Sequence, residues 1–387
     1  MRQKVCIGDL GIVVTGKTPL KSNKAFYGDY ALFLKPTDIS ESNKFTYETE
    51  EMFSQLAAEK FASSLIPKGA ICIPCIGTIG TKMTMSHCDC YTNQSINSII
   101  CNNNYNNEYV YYLMKNFLPN LKSYNLGTAS GREFISKSNF EKIEIIVEQD
   151  PTTQKRIANI LSRYDSLIEN YQKQIKLLEE SAQRLYKEWF IDLRFPGHEN
   201  TKIVDGVPEG WEKKKVGDLI SKVQRTRQVA ANNYQITGKF PVIDQSRNYI
   251  AGYTDDCECV LNVTIPYIVF GDHTRVLKYV PFSFAKGADG TQLIMSNDLE
   301  RMPQSLFYNS LIEIDLSNYS YARHFKYLKE ESILVPSKDI AERYDKIVSK
   351  YFQSIQKNRE QIRLLTEARD RLLPKLMSGE FNICIND

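Results

Sequence analysis

The sequence predicts an α+β protein: two α/β globules joined by two long helices that pair as an antiparallel coiled coil, the whole built on a pseudo-two-fold repeat. Three observations carry this expectation. A helical segment recurs along the chain, both copies show a narrow apolar seam, and the blocks between them hold short β-rich runs broken by turn residues.

The repeat is legible without gaps. Ile160-Leu-Ser-Arg-Tyr164 … Ile168 … Gln174-Ile-Lys-Leu-Leu178 … Arg184-Leu185 returns 187 positions later as Ile347-Val-Ser-Lys-Tyr351 … Ile355 … Gln361-Ile-Arg-Leu-Leu365 … Arg371-Leu372. A weaker echo, Gly8-Asp9-Leu10 against Gly217-Asp218-Leu219, has an offset of 209, so the second non-helical block is 22 residues shorter than the first. Self-similarity at a fixed offset marks duplicated structural units.

In both copies apolar residues fall three and four apart with charged residues between them, the pattern of a coiled-coil seam. The seam positions are Ile160, Tyr164, Ile168, Ile175, Leu178 and Leu185 in the first helix, and Ile347, Tyr351, Ile355, Ile362, Leu365 and Leu372 in the second. Pro151-Thr152-Thr153 and Pro336-Ser337 supply starts with Ser/Thr caps, and Pro196-Gly197 and Ser378-Gly379 supply stops. Helices of roughly 35–40 residues span about 50–60 Å. Neither seam is wide enough to be covered alone, so the simplest arrangement pairs the two with each other. Self-association or an ordinary bundle is the other reading of such seams.

The remaining blocks, 1–150 and roughly 205–335, contain the runs Ala70–Pro74, Ser98–Ile100, Ile143–Val147, Tyr267–Phe270 and Ile312–Ile314, read as strands, with a short helix near Asn107–Phe117. In such globules the loops carry function.

Composition bounds the class. The 387 residues are 42% hydrophobic and 25% charged, values of a globular chain of two or three domains. No apolar run approaches the ~18 residues of a membrane span, and the N-terminus runs into polar Gly8-Asp9 with no signal-peptide core. Nine scattered cysteines suggest free thiols in a reducing cytoplasm. A net charge of +3 is weak for a protein that coats nucleic acid by charge alone, so a nucleic-acid role needs local charge or a partner.

Several motifs invite chemistry. Gly11-Ile-Val-Val-Thr-Gly16-Lys17-Thr18 matches the phosphate-binding pattern GxxxxGK[ST] letter for letter, but its interior prefers a strand and Pro19 stands where the phosphate-facing helix should begin. Cys72 and Cys75 with His87, Cys88 and Cys90 have zinc-ligand chemistry, yet the first pair lies in an apolar strand-like run, so buried free thiols are expected and no metal or other cofactor. An adenine methyltransferase would need an Asn/Asp-Pro-Pro-aromatic motif, and the chain has no Pro-Pro dipeptide. Four scattered histidines form no catalytic constellation, so the chain reads as non-catalytic.

Block–helix–block–helix order with these motifs resembles the specificity subunits of type I restriction–modification enzymes, the HsdS family. The resemblance is carried by Thr15-Gly16-Lys17-Thr18-Pro19, Gly77-Thr-Ile-Gly80, Asn93-Gln94-Ser-Ile96 and Leu126-Gly127-Thr128 in the first block. Glu188-Trp189-Phe190 … Phe195-Pro196-Gly197 … Pro208-Glu-Gly-Trp211 marks the joint; Val269–Thr274, Gly287-Ala-Asp289-Gly290 and Tyr321–Lys329 lie in the second block, and Leu373–Phe381 closes the chain. The resemblance implies two target-recognition domains, 1–150 and 196–335, with spacer helices at 151–195 and 336–387. Each domain would read one half of an asymmetric bipartite target in double-stranded DNA, with half-sites held apart by paired helices. About 50 Å corresponds to about fifteen base pairs. It further implies docking of two DNA methyltransferase subunits and of motor-nuclease subunits, no membrane, and no catalysis by the chain itself. A coiled-coil adaptor without DNA binding and a stand-alone DNA-acting enzyme are the alternatives.

The candidate DNA contacts are basic or edge-reading residues on loops. They are Lys17, Thr18, Lys21, Lys24, Lys35, Thr37, Thr78, Lys82 and Arg132 in the first block. In the second they are Arg225, Arg227, Arg247, His273, Thr274, Arg275, Lys286, Arg323, His324 and Lys326. For any one of them a solvated surface charge is the plainer alternative.

Overall fold

A computed structural model describes residues 2–125, 127, 133–223, 226–319 and 323–381. The chain is α+β and divides into two units, 1–171 with 361–387, and 172–360.

In the first unit the apolar run at 71–74 forms a fully buried strand, Ile71–Pro74, inside an antiparallel sheet with Gly11–Thr15, Ile96–Cys101 and Thr84–Met85. A second sheet joins Met52–Phe53, Tyr27–Leu34 and Tyr91–Thr92. The helix Asn107–Phe117 begins where Asn106 Oδ1 accepts from the Tyr109 amide at 3.0 Å, and it buries Tyr109 to Met114. In the second unit a three-stranded sheet (Leu277–Val280, Tyr267–Gly271, Thr291–Ile294) lies beside a four-stranded one. Residues 312–314, read as a strand from their alternation, instead close the helix Gln304–Ile312. Leu306, Phe307 and Leu311 are all buried on that helix, and three residues of alternation are outweighed by this longer helical spacing.

The weak echo proves to be a fastening used twice. Arg2–Cys6 pairs with Glu144–Glu148, and Glu212–Lys215 pairs with Ser332–Val335, both antiparallel. The amides of Ile7 and Val216 donate to Ile143 O and Glu331 O at 2.9 and 2.8 Å. Asn102 Nδ2 donates to Asp9 O at 3.0 Å, and Asn297 Nδ2 to Asp218 O at 2.7 Å. Each ribbon thus delivers its chain to the start of a long helix in the same way.

Those helices are Pro151–Tyr186 and Lys338–Ser378. The first is capped by Asp150, whose carboxylate accepts from the Thr153 amide at 2.9 Å, rather than by the threonines after the proline. It ends earlier than Pro196: a π turn at Lys187–Ile191 turns Trp189 and Phe190 inward. There Phe190 meets Trp211 (ring centroids 5.5 Å) and Tyr344 (5.2 Å), and Phe195 stacks near Trp211 at 4.7 Å. The diagnostic joint is therefore an aromatic core.

The helices contact each other in both units with antiparallel register. In the second unit Tyr344 Oη donates to Ala182 O (3.3 Å) and Asn358 Nδ2 to Gln174 Oε1 (3.2 Å). In the first unit Asp165 and Arg369 pair at 2.5 Å with side chains only 4% and 3% exposed, and Tyr112 Oη donates to the same carboxylate at 2.5 Å. Of the seam residues, Ile168 and Ile355 are buried, whereas Ile160, Tyr164, Ile175, Leu178, Leu185, Ile347, Tyr351, Ile362, Leu365 and Leu372 are half-buried. The deepest line, with Leu161, Tyr186, Val348 and Leu373, runs one place further round. Each helix packs on its globule as well as on its partner, so the buried stripe is wider than a two-helix seam.

At the repeat offset of 187, Asp165 corresponds to Phe352 and Arg369 to Ala182. One unit thus holds an ion pair where the other holds a phenylalanine. Removing one partner leaves a buried charge, whereas replacing both by apolar groups does not. Asp165→Ala should destabilise by about 3–5 kcal/mol, and Asp165→Phe with Arg369→Ala by about 1 kcal/mol or less, in denaturant titrations.

Candidate nucleic-acid interface

In the first unit the loop leaving Gly11–Thr15 runs along the turn before Ile96–Cys101. The Lys17 amide donates to Thr92 O at 3.0 Å, the Gly16 amide to Ile96 O at 3.3 Å, and Thr18 Oγ1 to Gln94 Oε1. A Cβ on Gly16 would lie 2.0 Å from Thr92 O, so only glycine permits this approach. Two of the sequence motifs thereby meet at one surface. Gly11 to Thr15 is a paired strand, and after Pro19 only a single 3-10 turn forms, at Lys24–Phe26, so the phosphate-facing helix that the pattern requires is not there.

Lys17, Thr18, Lys21, Lys24, Thr37 and Thr78 are exposed, and Lys82 is half-buried. Lys35 departs from the expected role: Glu50 and Glu51 each hold its ammonium at 3.0 Å, so its charge is already neutralised. Arg132 and Thr128 lie outside the described residues. Cys72 and Cys75 face opposite sides of their sheet, one toward Leu32 and Cys90 and the other toward Ile71 and Ile73, because strand side chains alternate. Burial pushes the Cys75 thiol up to about 12. Among the described residues no group of three or more His, Cys, Asp or Glu is placed to hold a metal.

The second unit gathers three loops, its own included, about one glutamine. Gln245 Oε1 accepts from the His273 amide (3.1 Å), its carbonyl accepts from Thr274 Oγ1 (2.6 Å), and its Nε2 donates to Asp289 O (2.9 Å). Asp272, nearly fully buried, donates its amide to Gly290 O at 2.7 Å and accepts from the His324 and Phe325 amides at 3.1 and 2.8 Å. Arg275 adopts a left-handed φ of 62° and its guanidinium donates to Leu316 O at 3.2 Å. The three motifs of the second block are therefore one structure, a turn on rigid strands.

Arg247, His273, Thr274, Arg275, Arg323 and Lys326 are exposed around it, and among the described residues the four cations have no ion pair. Arg227 is exposed but within 3.7 and 3.6 Å of Asp256 and Glu258, and Lys286 is half-buried with its pKa lowered by burial. His324 corrects the expectation: it is buried at the first turn of the helix His324–Glu330, where its amide anchors Asp272. It belongs to the frame of the loop rather than to its surface. Arg225 and Tyr321 lie outside the described residues.

Two further residues hold this site and escaped the sequence reading. Gln245 follows a strand without any motif. Lys278 is 3% exposed; its ammonium donates to Asp244 O (2.8 Å) and Asn248 O (2.6 Å), bracing the loop that carries Gln245 and Arg247. A lysine inside the apolar strand Leu277–Val280 was the available signal. Burial pulls its pKa down to about 8 from the ordinary 10.5, against the pull of Asp244. Between those values the folded chain binds fewer protons at this site than the unfolded one, so the contribution of Lys278 to stability rises with pH. The penalty of Lys278→Met should be larger at pH 9.5 than at pH 7.5 by about 1–2 kcal/mol in thermal or denaturant unfolding.

Comparisons with known proteins point to one family. Residues 2–180 match the family described as "Type I restriction modification DNA specificity domain". Over 409 residues the chain is 27% identical to the type I restriction enzyme MjaIX specificity subunit of Methanocaldococcus jannaschii, covering 97% of this chain and 93% of that one. Over 163 residues it is 35% identical to the HindI specificity subunit of Haemophilus influenzae, covering 41% of this chain and 35% of that one. The S subunit of a type I restriction–modification system from M. genitalium shares the fold with a TM-score of 0.55 at 16% identity, over 97% of this chain and 96% of that one. With its duplicated frame, the chain is similar along nearly its whole length to a type I restriction enzyme specificity subunit, and its first half matches the DNA specificity domain of such systems.

Proposed function

We propose that this chain supplies DNA sequence specificity to a type I restriction–modification complex, each unit reading one half of an asymmetric bipartite target. The observation that carries this reading is the likeness to a specificity subunit along 97% of the chain. The physics of the loops supports it. Arginine and histidine donors on a turn braced by hydrogen bonds to Gln245 and Asp272 suit base edges in the major groove, and neighbouring lysines suit phosphates. The two units share a fastening but not a loop set: Thr15–Pro19 with Gln94 stands in one, and His273–Arg275 with Gln245 in the other. Unlike loops read unlike half-sites.

In this reading the two long helices keep the readers at a fixed spacing and dock two methyltransferase subunits, with motor-nuclease subunits joining for cleavage. Catalysis belongs to those partners, since modifying a base requires flipping it into an enzyme pocket. The weak net charge of +3 fits a subunit whose partners supply the rest of the DNA footprint. Among the described residues no helix is long and apolar enough to cross a membrane.

Exchanging residues 1–150 for those of another specificity subunit should change one half of the methylated target and leave the other, as read by methylome sequencing. A change in both halves would refute two independent readers. Arg275→Ala in the assembled complex should cost about 1–3 kcal/mol of DNA affinity and relax specificity in the other half-site only.

A further inference from the structure

We infer that the second unit carries an open docking groove for a short segment of a partner polypeptide, one presenting an aromatic side chain and a hydrogen-bond donor. The groove has a volume of about 690 Å³, with Ile265, Pro266, Pro281 and Leu299 on one side and Phe352 and Gln356 of the second long helix on the other. Gln356 Oε1 is buried in its wall with no hydrogen-bond partner among the described residues. A buried acceptor left unpaired is costly, which favours an occupant that donates to it.

The chain itself shows what such an occupant looks like. At the repeat offset of 187, Phe352 and Gln356 correspond to Asp165 and Glu169 of the first long helix. Tyr308 packs against Phe352 (5.5 Å) as Tyr112 bonds Asp165, so Gln304, one turn before Tyr308, corresponds to Glu108. In the first unit this place is filled by the chain's own segment around Lys44 and Tyr47. Lys44 pairs with Glu108 and its ammonium lies 5.1 Å from the Tyr112 ring centre, while Tyr47 Oη donates to Glu169 at 3.2 Å. The second block is 22 residues shorter, and its groove is open where the first unit is plugged. Gln304 is already bonded to Ser296 and Pro266, so the match rests on the other position: Gln356 offers the acceptor that Glu169 offers to Tyr47, and the aromatic wall of Phe352 and Tyr279 offers an apolar seat. This inference goes beyond DNA reading and does not rest on it.

A labelled synthetic peptide copying Ser42–Thr49 of this chain is the probe, titrated into the full-length protein and followed by fluorescence anisotropy. We expect saturable binding, weakened at least tenfold by Ser349→Trp, which fills the groove, and several-fold by a peptide carrying Tyr47→Phe. Gln356→Leu keeps the interpretation clear of misfolding: it removes the orphan acceptor, so thermal stability should hold or rise while peptide binding falls. No binding, or binding unchanged in a Ser349→Trp protein that melts like the parent, would overturn the proposal. Concentration-dependent dimerisation abolished by Ser349→Trp would identify a second copy as the occupant and would also overturn it.

Discussion

Antiparallel contact between the two long helices is the constraint on which the rest of the molecule depends. Each helix is amphipathic with too little apolar surface to be stable alone in water, and each is completed by its partner within both units. In the first unit the contact centres on a buried ion pair, Asp165 with Arg369, made tolerable by Tyr112, which supplies a further hydrogen bond to the carboxylate. In the second it centres on Phe352 and Ala182 at the repeat-equivalent places. A buried ion pair contributes little net stability but discriminates against mispairing. Two first helices packed together would set Asp165 against Ala182, an unpaired charge. The pair therefore favours one first helix with one second helix.

The globules are the other half of that arrangement. Both are fastened to their helices by the same ribbon and the same asparagine bond, which leaves the connecting loops free to differ. Paired strands and side-chain hydrogen bonds hold those loops in the free chain, and loops held in place before a ligand arrives lose less ordering entropy on binding. Gln245 and Lys278 illustrate the division: neither is exposed, yet the turn bearing His273 and Arg275 and the loop bearing Arg247 rest on them.

Much of this was legible in the sequence because periodicity and repetition are one-dimensional signals. The helix Asn107–Phe117, the start at Pro151 and the stop at Ser378 all follow from local rules of spacing and capping. What was not legible depends on tertiary contact. The first long helix stops at Tyr186 because an aromatic core captures Trp189 and Phe190, and residues 312–314 leave strand conformation because a helix buries Leu306, Phe307 and Leu311. Among the candidate contacts, Lys35 is claimed by Glu50 and Glu51, which are distant from it in sequence, and His324 is turned inward. Neither fact is encoded in the residue's own neighbourhood.

Cysteine cross-linking tests helix pairing within one chain most directly. Gln174 and Asn358, in hydrogen-bond contact at 3.2 Å, are replaced by cysteine in a background whose native cysteines are serine, and the protein is treated in dilute solution with a short bifunctional thiol reagent. A cross-linked monomer of altered mobility, unaffected by dilution, is the predicted product. A covalent dimer whose yield falls with dilution would contradict the pairing and the account built on it.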